Sequence, residues 1–231
     1  MARAARLILP YQPHHILQKG NNRQPVFLDD EDHFSFLRWL REASTLYNVD
    51  IHAYVLMAPR LHLLATPKDA ASLGRMMQWV GRHYVPYFNR KYQRSGTLWE
   101  GRYRTSPIEA APCFLSCSCF VELLPVRQGL VRLASDYRWS SYAHHTGLRQ
   151  DPLIRDHKLY WELGNTPFAR EAAYNKLISS PFSSDEASRI ARAFEQGWLI
   201  GSEAFRLELE RRTARKFRMG QRGRPAKDLV V

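Results

Sequence analysis

The stretch "NVDIHAYVLMAPRLHLLATP" (48–67) constrains the fold of this chain more than any other. Two apolar runs, 48–57 and 61–67, are separated only by Ala58, Pro59 and Arg60. A connection that short cannot carry a crossover, so the runs must pair as an antiparallel hairpin. The first run alternates with the period of a strand.

The flanking segments extend the hairpin into a recognisable order. "HHILQKGNN" (14–22) reads as a strand ending at a Gly-Asn turn. "DDEDHFSFLRWLREASTLY" (29–47) predicts a helix: Asp29 or Asp30 caps it, acids fill the first turn, and Phe36, Leu37, Leu40, Ala43 and Tyr47 form one apolar stripe. A long helix is expected over 69–92, with a kink near Pro86. The basic loop that follows leads into a strand over 102–109, and Pro112 opens a helix running to about Leu124. Strand, helix, strand, strand, helix, strand is the ferredoxin-like order. The expected fold class is α+β: an antiparallel sheet with helices on one face.

After Pro125 the pattern changes. Residues 136–147 read as a packed turn region, and helical stretches follow at 168–179, 184–196 and 202–213, the second capped at Ser183 or Ser184. The expected organisation is a ferredoxin-fold domain over 1–130, a helical C-terminal region over 131–213 and a basic tail over 214–231. The tail is rich in Arg, Gly and Pro, a composition that cannot bury a core without a partner.

Charge points to the class of partner. The chain of 231 residues has 45% hydrophobic residues, enough for a core, and a net charge of +12. That balance favours polyanions, nucleic acid first. Residues 211–227 carry eight basic residues and no acid, a candidate arm for a phosphate backbone or a minor groove. Cys113, Cys117 and Cys119 lie within seven residues and lack a second ligand pair, so they read as small buried helix residues. The apolar run at the start is too short for a signal peptide, and no segment approaches a membrane span. A cytoplasmic protein is expected.

Several phrases occur together: "KGNNRQPVF", "DDEDHFSFL", "HAYVLM", "YFNRKYQRSGTLWEGRYR", "PVRQGLV" and "DYRWSSY". In their order and spacing, from about residue 13 to 145, the chain resembles the REP-associated tyrosine transposases. These are single-tyrosine HUH transposases of the insertion-sequence-200-like group. "IGSEAFRLELERRTAR" followed by "RGRP" resembles their C-terminal region. The resemblance implies a bacterial, nucleoid-associated protein that recognises hairpins of repetitive extragenic palindromes and cuts nearby single-stranded DNA. It implies a tyrosine hydroxyl that attacks phosphorus and leaves a 5′-phosphotyrosine link. It also implies Mg²⁺ or Mn²⁺, held by a His-x-His pair and a polar side chain one turn past the tyrosine.

Against that pattern the sequence departs at three of four positions. The family's Asn-His-x-His-Leu-Leu is matched by "PRLHLL": His62 keeps the second histidine and Arg60 stands at the first. Two residues apart on a strand, they share a face. A guanidinium has no lone pair and stays charged, so it repels a cation. The family's Tyr-x-Glu-x-Asn-Pro-Val-Arg is matched by "FVELLPVR": Phe120 replaces the tyrosine and Leu124 the asparagine. The implied metal site is therefore weak or absent, and tyrosine-dependent cleavage impaired.

Tyr84, Tyr87, Tyr92 and Tyr103 are candidate substitute nucleophiles, and Glu100, Glu109 and Glu122 candidate oxygen ligands; packing, stacking and structural hydrogen bonds are the simpler roles. Arg90, Lys91, Arg94, Arg102 and Arg104 are candidate phosphate contacts, with Trp99, Tyr92 and Tyr103 as base-stacking platforms. Arg60 could contact a phosphate directly. Arg222 and Arg224 in "RGRP" resemble a minor-groove arm. Trp139 and Tyr142 are expected to anchor the C-terminal region. Three functions remain open: a DNA-binding protein for hairpin and single-stranded DNA that does not cut, an active nickase using substitute residues, and a basic RNA-binding protein.

Overall fold

The computed structural model describes residues 6–180 and 182–217. Four strands, β1 (His14–Lys19), β2 (Val49–Met57), β3 (Arg60–Pro67) and β4 (Arg104–Pro107), form one antiparallel sheet in the order β2-β3-β1-β4. The hairpin is β2–β3, with Met57 opposite Arg60. β1 ends sooner than the sequence suggested, because Asn21–Arg23 coil into a 3₁₀ turn in which Asn22 and Arg23 take positive φ.

Helix α1 (Asp30–Leu46) follows β1, and α2 (Ser72–Lys91) joins β3 to β4. Asp29 caps α1 through a reciprocal box: its side chain accepts from the Asp32 N–H, and the Asp32 side chain accepts from the Asp29 N–H. α2 runs through Pro86 as one helix. α3 (Ala110–Glu122) stops at Leu123, and Pro125 starts the short α4 (Leu124–Arg127) rather than prolonging it. Further along come α5 (Tyr142–His145), α6 (Lys158–Trp161), α7 (Pro167–Ser179), α8 (Ser184–Gln196) and α9 (Glu203–Thr213). Ser183 caps α8 by accepting from Glu186 N–H, and Gly197, at φ 71°, closes it in a left-handed turn.

α1 and α2 cover one face, the ferredoxin-like arrangement. Leu61, Leu63 and Ala65 of β3 and Ile16 of β1 pack there against Phe36, Leu40, Met76, Val80 and Tyr84. The expectation of helices on one face covers only this half. The opposite face, bearing Val55, Met57 and Leu64, is buried under α3 and α8, with Phe120, Val121, Ile190 and Phe194 in one core. The reason lies in β2 and β3, which are apolar on both faces, so a solvated second face was never available to them. No helix among the described residues is long and apolar enough to cross a membrane.

Candidate functional site

The site lies on the sheet face beneath α3 and α8. Register places Leu17 opposite His62 and Lys19 opposite Arg60. Strand alternation then puts His15, Lys19, Arg60 and His62 on one face. The histidine is not alone: His15 Nε2 and His62 Nδ1 are 2.9 Å apart and share a hydrogen bond. His15 was not foreseen; the signal was the period-2 spacing of "HHILQK", legible only once the β1–β3 register was known.

Both rings are buried, and His15 Nδ1 and His62 Nε2 have no hydrogen-bond partner among the described residues. Whichever ring donates, the pair leaves one ring nitrogen without an acceptor and the other without a donor. Burial pushes the His62 pKa down to about 3, with Arg60 and Lys19 adding to the shift. His15 is held well below its ordinary value by burial and then by His62. Both are neutral imidazoles at neutral pH.

What seals the pair is α8. The Phe194 ring stacks on His15 at 3.4 Å between centroids, 5° from parallel. Phe120 meets the same ring edge-on at 5.7 Å and meets Phe182 at 5.8 Å. Phe194 is thus wedged between the tyrosine-equivalent position and the histidines. Leu124 lies buried in the same apolar core.

Lys19 and Arg60 are like charges directly opposite on neighbouring strands, a destabilising pair in isolation. Glu195, the residue after Phe194, answers both. Its carboxylate accepts from Arg60 at 2.8 Å and from Lys19, while Arg104 donates to its backbone oxygen. Arg60 therefore has a carboxylate partner within the chain, on the face where a ligand pair would hold a cation.

The single-tyrosine transposase family is metal-dependent, so the fit of a divalent ion can be tested on these side chains. At the positions that the resemblance implies as ligands beside His62 stand the paired guanidinium of Arg60 and the hydrocarbon of Leu124, and the Phe194 ring lies against His15. Mg²⁺ and Mn²⁺ need several oxygen ligands and room for water. The residues present do not fit such an ion. A second group, His144, His145 and Asp156, brings its ligand atoms within 4.8 Å of one another. His144 Nδ1 accepts from the Asp151 N–H, so its Nε2 carries the proton and donates to Asp156 at 3.1 Å. That leaves His144 no ligand lone pair, and the cluster reads as a hydrogen-bonded brace.

Glu122 is the hub of that brace. It is fully buried at the end of α3, and its carboxylate accepts from Ser141, from His145 Nδ1 at 2.7 Å and from Tyr174 at 2.8 Å. The structural role wins over a ligand role. Trp139 stacks on His33 at 4.2 Å, and Leu56 N–H donates to its carbonyl, so "DYRWSSY" does pin the C-terminal region to β2 and α1.

The candidate DNA contacts divide. Lys91 is committed to Asp29, Glu31 and Asp32. Tyr92 donates to Asp29 and Asp32, and half-buried Trp99 lies beside Tyr84 with 5.9 Å between rings. Arg104 is half-buried in β4. Arg94 donates to Gln24 at 2.9 Å, and Arg90 and Arg102 are exposed. Tyr103 is buried, and Arg222 and Arg224 lie outside the described residues. Tyr84 donates to the Val26 carbonyl, and burial pushes its hydroxyl pKa far up.

Residues 11–115 match the family described as "Transposase IS200 like", so this part of the chain is similar to that family. Phe120 and Leu124 lie just past the matched residues. A REP-associated tyrosine transposase bound to a REP hairpin is similar in structure, with a TM-score of 0.51 and 15% identity over 68% of this chain and 92% of that one. A candidate transposase from Deinococcus radiodurans R1 aligns with a TM-score of 0.36 and 20% identity over 45% of this chain and 84% of that one. The tRNA(His) guanylyltransferase of Saccharomyces cerevisiae aligns at 0.36 and 12% over 84% and 82%. Neither of these last two bears on the fold. No curated protein matches the chain.

Proposed function

We propose that this protein is a DNA-binding member of the IS200-like transposases that recognises palindromic hairpins of the REP type with their single-stranded flanks, and that does not cut DNA by the tyrosine mechanism. One observation carries the reading: the Phe194 ring fills the space between Phe120 and the His15–His62 pair. A nucleophile without oxygen, a ligand position taken by Arg60, and an aromatic plug leave no place for the scissile phosphate. The two orphaned ring nitrogens support it, because an unpartnered buried polar atom costs about 1–3 kcal/mol and serves no packing purpose. The His62 nitrogen is what a former ligand leaves behind once its partner at position 60 has become an arginine. Residues 1–130 supply the binding scaffold, 131–213 brace it, and the basic tail adds phosphate contacts. The setting is a bacterial cytoplasm, at the nucleoid.

The substitute-nucleophile reading finds no support. Tyr84 is buried against a carbonyl, and burial raises the Tyr103 hydroxyl too. Incubating the protein with a labelled REP-type hairpin and Mg²⁺ or Mn²⁺ tests the proposal. The expected result is a retarded complex with no denaturation-resistant adduct. A covalent protein–DNA adduct overturns the loss of cleavage, and preference for the matching RNA overturns the DNA assignment.

A further inference from the structure

On the face opposite the filled cleft, between α2 and strands β1 and β3, lies a cavity of about 390 Å³. Its size is at the small end of ligand pockets, which span about 300–1,000 Å³. Buried Phe36 and Leu61 line its floor, and Trp99 and Tyr103, from the basic loop and its end, line its wall.

Two glycines of α2 face it. Gly74 and Gly81 are seven residues apart, two turns along one side of a 20-residue helix, and both line the cavity. A glycine in a helix interior is destabilising relative to alanine. Neighbouring atoms do not demand either one. A Cβ on Gly74 would come no nearer than 3.8 Å to the Tyr103 hydroxyl, and one on Gly81 no nearer than 3.8 Å to Trp99 Nε1. What the glycines preserve is the empty volume.

The lining also has polar chemistry. Gln18 is nearly buried, and its Nε2 makes only long contacts, to the Gly101 and Lys19 carbonyls at 3.3 and 3.4 Å. Its Oε1 accepts no hydrogen bond among the described residues. Arg6 and Arg102 are at the rim, Arg6 lying flat over Tyr103 at 3.7 Å. A largely apolar cavity lined by Trp99 and Tyr103, with one amide and two cationic side chains in its lining, matches a nucleobase entering from a phosphate-bearing strand.

We propose that this cavity receives one unpaired base of the bound DNA strand, stacked beside Trp99 and Tyr103, with the Gln18 amide against its hydrogen-bonding edge. The inference rests on the DNA-binding reading above and names its single-strand subsite. Adenine fits the amide best, because its adjacent donor and acceptor complement a glutamine.

Fluorescence anisotropy with a labelled oligo-dA strand of about twelve nucleotides, and with the same backbone made abasic, tests this. Wild-type protein should bind oligo-dA roughly ten- to a hundredfold more tightly than the abasic strand, the range expected for one stacked base. Gly81→Leu fills the slot. It should fold with an equal or higher melting temperature and lose most of that difference, leaving abasic-strand affinity unchanged. Equal wild-type affinity for both strands, or full oligo-dA preference in folded Gly81→Leu, overturns the pocket while leaving DNA binding intact. Absence of binding to either strand at low salt, with a REP-type hairpin still bound, overturns the pocket, and absence of binding to the hairpin as well overturns the DNA-binding reading itself. A preference for oligo-rA over oligo-dA overturns the assignment to DNA. The wild-type comparison stands even if Gly81→Leu misfolds.

Discussion

Lowering the pH should unfold this protein well above the range where carboxylates titrate. His14, His52 and His62 are buried with pKa values depressed by burial to about 4, 4 and 3. A folded pKa below the unfolded 6.5 means that the unfolded chain takes up protons first. Stability is therefore complete above about pH 6.5 and falls as pH drops toward each folded value. At pH of about 5, each such ring costs about 2 kcal/mol, and the three together roughly 6 kcal/mol. That is a large part of the ~5–15 kcal/mol that holds a typical domain together. His15 adds in the same direction. The carboxylates of Asp29 and Asp156, held below 3.8, lose their contribution only below that pH, outside the window. Urea unfolding at pH of about 7.5 and 5 reads the difference as a shift in midpoint at constant slope. His62→Leu should be less stable at the higher pH, because His15 loses its partner, yet its acid loss should shrink by about 2 kcal/mol. Equal wild-type stability at both pH values, within about 1 kcal/mol, would show that these rings are hydrated or already charged in the fold.

Glu122→Gln places an amide nitrogen or a weaker acceptor against three hydroxyl and imidazole donors, and should cost about 2–4 kcal/mol, lowering the melting temperature by roughly 4–16 °C by calorimetry. Restoring the family's letters with Arg60→His, Phe120→Tyr and Leu124→Asn together should give no covalent DNA adduct on a denaturing gel, because Phe194 still occupies the cleft. Lys91→Ala should lower the melting temperature by stripping the buried Asp32 of its cation, with DNA affinity little changed. Arg90→Ala should do the reverse, reducing the salt slope of binding by about one phosphate's worth. Deleting residues 214–231 should weaken hairpin binding and flatten its salt dependence in titrations at several salt concentrations.

Local patterns carried most of the scaffold. The short Ala58-Pro59 turn forced the hairpin, with Arg60 already in β3, the Asp29–Asp32 box placed the start of α1, and Ser183 placed the start of α8. Each depends on residues within a few positions of one another, so chain order shows them. The same is true of the side chains of Arg60, Phe120 and Leu124, which offer no metal-binding lone pair and no phenolic oxygen in any fold. Lys91 shows the limit. In sequence it is one more cation in a basic loop; in space it lies against three acids some 60 residues earlier.

What the sequence alone determined, then, is the ferredoxin-like order and the presence of Arg60, Phe120 and Leu124 at the positions that the resemblance marks as reactive. Tertiary structure decided what stands there instead. His15 meets His62 only through the β1–β3 register, and Phe194 and Glu195 reach the cleft only because α8, which starts 117 residues after β3 ends, folds back over the sheet. Neither side-chain period nor capping specifies such a contact. It follows from the need of two strands, apolar on both faces, to be covered twice.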